Sequence, residues 1–202
     1  TALYGSGLTV DGGAAVEATG GAAVNQSVGL DCRVNGAIEV GRNGSSLTVT
    51  GSKAKAYSFG IYCINLSVAQ GGTLTAKGDD AGTNSAGVQC GALLVNGTLT
   101  AKAGEADTST GVASTNDVTV NGTLTAKADK STGEGSVGVA CSNLTVSGTL
   151  IAKAGLVEST IALLGNSCGV LCFGTVTVDG DGATLTAEAD TASGTAPDAT
   201  GA

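Results

Sequence analysis

Histidine, methionine and tryptophan are absent from the 202 residues, proline occurs once, and aromatic side chains make up 2% of the chain. Each shortage excludes something. Without histidine there is no imidazole to build an enzyme site or to complete a zinc site. Without large aromatic side chains a globular centre is hard to fill. The Ala, Val, Leu, Thr and Gly that remain suit a narrow core between closely spaced strands. Cations are scarce, with 9 Lys plus Arg against 17 Asp plus Glu and a net charge of −8. That balance speaks against nucleic acid or an anionic membrane as partner. No run of 18 apolar residues occurs, so no membrane insertion is expected. The hydrophobic fraction of 42% separates the chain from disordered sequences despite its 34 glycines.

What is present is a repeat. Thr-Leu-Thr-Ala-Lys stands at Thr73–Lys77, Thr98–Lys102 and Thr123–Lys127, with variants at Thr149–Lys153, Thr184–Glu188 and Ser46–Thr50. A Gly-hydrophobic-x-Cys element precedes each copy by a similar distance. Its glycines are Gly29, Gly60, Gly87, Gly111, Gly138 and Gly169, separated by 31, 27, 24, 27 and 31 residues. Between the two elements lies a short apolar pair such as Leu66/Val68, Leu93/Val95 or Val118/Val120. Three period-two segments per unit, divided by Gly-containing turns, do not fit a hairpin meander. They fit an all-β fold, a right-handed parallel β-helix with three faces and about seven coils of 24–31 residues. Each strand then stacks on its counterpart about 4.8 Å away.

The variable stretch after each Lys collects the insertions on one edge. One β-helix domain is expected over residues 1–190, open at both ends. Residues 191–202, which hold Pro197, are expected to be a polar loop-like tail or the start of a further coil. The repeat begins in the first residues and no initiating Met is present, so the chain reads as a processed piece of a longer protein.

Alternation along each strand assigns the faces. Leu74/Ala76 and their counterparts point inward, as do Ile61/Cys63, Val88/Cys90, Val112/Ser114 and Val139/Cys141. Phe59 and Val137 should share that inner face. Cys32, Cys63, Cys90, Cys141 and Cys172 occupy one repeat position, with Ser114 in the sixth place. A stack of small buried thiols is the expected outcome. Asn65, Asn116 and Asn143 are expected to form a stacked ladder at the turn after the first strand.

Candidate sites lie on the outer surface. Thr73, Thr75, Thr98, Thr100, Thr123 and Thr125 should form a flat array, bordered by Lys77, Lys102, Lys127 and Lys153. Acidic loop residues downstream should offset that cation row. The array resembles the Thr-x-Thr face of β-solenoid ice-binding proteins, which implies an ice-binding face as one alternative. The acidic loops offer oxygen ligands, with Asp179, Asp181, Asp79 and Asp80 as candidate Ca²⁺ ligands. Tyr62, expected to face out, and Tyr57 are the candidates for stacking on a sugar ring. With no histidine in the chain, no convergent catalytic set occurs, so no catalytic residue is assigned. Polysaccharide lyase chemistry, known on parallel β-helices, is the residual enzymatic alternative.

The run Gly138 to Ala154, GVACSNLTVSGTLIAKA, and its sisters resemble the repeat of secreted bacterial β-helix proteins of the calcium-binding, carbohydrate-binding-domain type. The resemblance spans residues 5 to about 190. It implies an extracellular or bacterial cell-surface location, Ca²⁺ as the one candidate cofactor, and polysaccharide as partner. From the residues themselves the leading expectation is a non-enzymatic extracellular solenoid, a surface structural or adhesin segment. The uncovered end coils make other copies of the chain a second candidate partner, through end stacking.

Overall fold

The computed structural model describes residues 1–159 and 166–194, and all its regular secondary structure is β-strand. The strands wind into a β-solenoid in which each coil contributes three segments, every pairing between coils being parallel. The third segments form a seven-stranded sheet: Ala15–Thr19, Ser46–Thr50, Thr73–Lys77, Thr98–Lys102, Thr123–Lys127, Thr149–Lys153 and Thr184–Glu188. Six coil-to-coil steps therefore separate its first strand from its last. The register is unbroken, with Leu47, Leu74, Leu99, Leu124, Leu150 and Leu185 in one column.

The first and second segments merge into a 14-stranded sheet. The cause is local: Gln26–Val40 and Tyr57–Val68 run without a break around the corner between the two segments. Later coils divide there, as in Asn84–Cys90 followed by Ala92–Val95. The expected separation into three strands per coil thus holds from the third complete coil onward.

The period-two pattern puts Leu74, Ala76, Leu99, Ala101, Leu124, Ala126, Leu150 and Ala152 fully inside. They meet Val88, Val112 and Val139 of the first segments and Leu93, Val95, Val118, Val120, Leu144 and Val146 of the second. Each such leucine contributes roughly 1.5–3 kcal/mol by leaving water.

Phe59 departs from the expected inner face. It is 4% exposed but belongs to a separate cluster with Val28 and Ala86, against which Tyr62 packs. The reason is Gly60. A Cβ there would stand 2.6 Å from the Lys77 backbone N, so the first and third segments approach too closely for a side chain. Alternation resets at this glycine, and Phe59 falls on the other side of the wall from Ile61.

The asparagine ladder is corrected too. Asn65 pairs with Ala92, and that column continues through Asp117 to Asn143. Asn116 belongs to the neighbouring column with Gly91 and Ser142, to which it is linked by backbone hydrogen bonds. The corners differ in length by a residue, and this shifts it. The asparagines that do stack lie at the next turn, where Asn121 Nδ2 donates to Asn96 Oδ1 at 2.8 Å.

The insertion edge is more regular than its sequence. Ala23, Ala54 and Ala81 are joined by parallel bridges, and Ala106, Ser131, Val157 and Ala192 continue as a short further ladder. Ala192–Gly194 pairs with Val157–Ser159, so the stretch expected as a polar tail or the start of a further coil begins with a strand. Pro197 lies outside the described residues.

Candidate functional site

Three outer features hold the residues singled out in the sequence. The threonines come together on the third sheet. Thr73, Thr98 and Thr123 form one in-register column, and Thr75, Thr100 and Thr125 a second. Ile151 interrupts the second column and Thr186 resumes it. None of these six hydroxyls has a hydrogen-bond partner among the described residues. The column beyond is Lys77, Lys102, Lys127, Lys153 and Glu188. Acidic neighbours offset part of it: Lys102 lies 3.9 Å from Asp129 and Lys153 lies 2.6 Å from Glu188. These are exposed pairs, each contributing at most about 1 kcal/mol.

The four acidic candidates are not brought together. Asp79 and Asp80 follow the Thr73–Lys77 strand, whereas Asp179 and Asp181 precede Thr184–Glu188, with three strands between. Asp79 Oδ1 accepts the Asp80 N–H at 3.0 Å. Asp80 Oδ1 accepts the Glu105 N–H at 3.1 Å, and its other oxygen lies 3.5 Å from Lys53. Asp179 and Asp181 are exposed in a turn. Among the described residues no three His, Cys, Asp or Glu side chains converge as a metal site would require.

The most structured outer feature is a cleft of about 370 Å³ at the corner after the first segment. Four successive coils build it, supplying Arg33, then Tyr62 to Ile64, then Gln89 to Gly91, then Thr115 and Asn116. Asp31, 1% exposed, anchors the arginine. Its carboxylate accepts the Arg33 backbone N–H at 3.3 Å and the Nε–H at 2.8 Å, and it is also paired with Nη2. The guanidinium carbon lies 4.6 Å from the centroid of the Tyr62 ring, a cation–π contact. Tyr62 in turn meets Phe59 edge-on, with centroids 5.3 Å apart at 80°, and Tyr57 lies 6.1 Å from Phe59. Both candidate tyrosines therefore belong to one aromatic cluster, on a different sheet from the threonines. One face of the Tyr62 ring is covered by Arg33 rather than free for stacking. Beside this fixed guanidinium stand two side-chain amides and a hydroxyl. That set can hydrogen-bond a polyhydroxylated or anionic ligand.

The thiols beneath are not poised for chemistry. Burial raises Cys63, with the neighbouring Cys90 and Cys32 adding to it. Burial also pushes Cys90 up to about 12 against a hydrogen bond with Ser114 that pulls the other way. At neutral pH these groups are protonated, and a protonated thiol is a poor nucleophile.

Sequence reasoning did not find Asp31, Arg33, Gln89, Thr115 and Asn116 as a set. The available signal was slight: Arg33 is one of only two arginines, directly after a repeat cysteine. It also passed over a serine at the second position before each repeat glycine, Ser27, Ser58, Ser85, Ser109, Ser136 and Ser167, of which all but the half-buried Ser167 are fully buried. Each Oγ donates to a carbonyl in its own coil's loop and accepts an N–H from the next coil's loop. For Ser85 these are Asp79 O and Gly104 N, both at 2.8 Å. The ladder fixes the insertion loops against the coils, and its constant Ser-x-Gly spacing was visible in the chain.

The chain matches no protein-family model, no curated protein and no solved structure.

Proposed function

We propose that this chain is a non-enzymatic, extracellular β-solenoid that serves as a rigid surface segment of structural or adhesin type. The observation that carries this reading is the unbroken register of the third sheet over six coil-to-coil steps, with Leu and Ala inside and Thr and Lys outside. The sequence is spent on propagating a rod rather than on converging reactive groups. The purified protein should leave polysaccharides intact. Release of reducing or unsaturated sugars from pectin or another polysaccharide overturns the reading.

End-to-end stacking belongs to the same proposal. Val176 and Val178 are 45% and 47% exposed, whereas Leu144 and Val146, one coil earlier in the same columns, are fully buried. A further coil, from this chain or a second copy, supplies the missing cover. Electron microscopy and light scattering should reveal concentration-dependent rods. Monomers at every concentration remove the stacking element.

A second reading, polysaccharide binding, is favoured by the Arg33–Tyr62 cleft. Its guanidinium, ring, amides and hydroxyl suit a sugar residue. A glycan array and calorimetry, each with Ca²⁺ and with EGTA, test it. No binding in either condition removes both the glycan and the Ca²⁺ dependence.

A further inference from the structure

The repeat position that holds Cys32, Cys63, Cys90, Ser114, Cys141 and Cys172 is a column running the length of the solenoid. Ser114 divides it into a block of three thiols and a block of two. The three are buried. In the block of two, Cys141 is 1% exposed but Cys172, in the last complete coil, is half-exposed. Cys141 and Cys172 are register partners on adjacent parallel strands. Burial raises the Cys141 thiol, and the neighbouring Cys172 adds to that effect. The Cys172 thiol donates to Ser142 O at 3.2 Å and to Thr175 O at 3.5 Å.

Parallel in-register strands hold like side chains side by side at the strand spacing, about 4.8 Å. A disulfide needs its sulfurs about 2.05 Å apart and its Cβ atoms turned toward each other, which this arrangement opposes. Tetrahedral zinc needs four ligands, and no third His, Cys, Asp or Glu joins the pair among the described residues. One coordination type does match. An ion held linearly between two thiolates, with bonds of about 2.3 Å like those of Zn–S, spans about 4.6 Å from sulfur to sulfur. Thiolate ligands select soft ions.

We propose that Cys141 and Cys172 form a two-coordinate site for a soft d¹⁰ metal ion of the Cu(I), Ag(I) or Hg(II) class. Binding forms two sulfur–metal bonds and breaks two S–H bonds. Two protons leave to solvent and no electron is transferred. Cys172 provides the entry point because it is only partly buried, and Cys141 closes the site from inside. Cys168 stands apart: it registers with Val137, not with another thiol.

Ag(I) is the probe, added to the reduced full chain. Uptake is followed by near-ultraviolet thiolate-to-metal absorption, proton release in weak buffer and thermal stability. The wild type should take up a rapidly bound ion with two protons released, and its melting temperature should rise. Cys172→Ser should lose one equivalent of tightly bound ion together with its two protons. That variant should fold, since Ser114 fills the same column position natively, and Cys172→Ala provides a second check. Cys168→Ser should bind as the wild type does. The proposal is overturned if both Cys172 variants retain wild-type stoichiometry, if Cys168→Ser abolishes the rapid uptake, or if air oxidation yields a Cys141–Cys172 disulfide.

Discussion

Ser109 accepts the backbone N–H of Asp129 at 2.9 Å while its hydroxyl donates to Gly104 O, also at 2.9 Å. Twenty residues separate Ser109 from Asp129, and the two belong to consecutive coils. One fully buried hydroxyl thus satisfies a donor from one insertion loop and an acceptor from another. Loops of different length can share one solenoid because the tie is made at a fixed place in each coil.

Ser109→Ala should therefore destabilise the protein beyond the loss of one hydrogen bond. The buried Gly104 carbonyl is left without this donor, and the Asp129 N–H loses its acceptor. The expected cost is about 1–3 kcal/mol in urea unfolding. Thr98→Ala, at an exposed position on the third sheet, should stay within about 0.5 kcal/mol. Equal effects for the two would mean the serine ladder contributes nothing special.

The glycine two residues on makes a separate prediction. A Cβ at Gly111 would lie 2.6 Å from Gly138 O and 2.7 Å from the Lys127 N, both backbone atoms that cannot rotate away. Gly111→Ala should cost roughly 1–3 kcal/mol as the two walls are pushed apart. At Gly21 a Cβ meets nothing within 4 Å and the backbone is not left-handed, so Gly21→Ala should be close to neutral. Thermal melts of the pair decide it.

These two columns mark where the sequence could be read and where it could not. Leu74 and Ala76 declare themselves by period two, because strand alternation needs only local geometry. Phe59 does not, since its placement depends on how closely Gly60 approaches Lys77, a property of the closed coil. Asn116 misses its expected column by one residue because corner lengths vary, and corner length leaves no periodic trace. The cleft was hidden for a related reason. Arg33, Tyr62, Gln89 and Thr115 come from four coils, about one residue from each, so no local motif contains them. Ser109 was legible in its spacing. Its role was not, because its partner sits in the next coil's variable loop.

Within that cleft, Arg33→Ala should uncover a buried charge. Asp31 is 1% exposed and loses its side-chain donors. Because Arg33 itself is 41% exposed, the cost should lie at about 3 kcal/mol, the lower end for a broken buried pair. Adding Asp31→Asn should restore most of the loss. If the double variant is no more stable than Arg33→Ala alone, the uncompensated carboxylate is not the cause. Tyr62→Ala should weaken any glycan binding at least tenfold while costing the cation–π contact, about 0.5–2 kcal/mol.

The buried thiols predict how stability responds to alkali. Burial raises Cys32, Cys63, Cys90 and Cys141 above their ordinary value of 9.0, Cys90 and Cys141 to about 12. In the unfolded chain the same groups lose their protons near the ordinary value. Below pH 9 both states are protonated, so the thiols leave stability unchanged with pH. Above it the unfolded state sheds protons that the folded state keeps, and stability falls by about 1.4 kcal/mol per pH unit for each thiol. The fall ends near pH 12 for Cys90, once the folded thiol ionises too. Alkali acts on more than the thiols, so the useful quantity is a difference between proteins. Cys90→Ser, which puts at that rung the residue found at Ser114, removes one such thiol. Whatever stability gap separates it from the wild type at pH 7 should shift in the variant's favour by about 1.4 kcal/mol for each unit between pH 9 and pH 11, read from urea unfolding. A gap that stays constant over that range would mean the Cys90 thiol ionises as readily in the folded coil as in the unfolded chain.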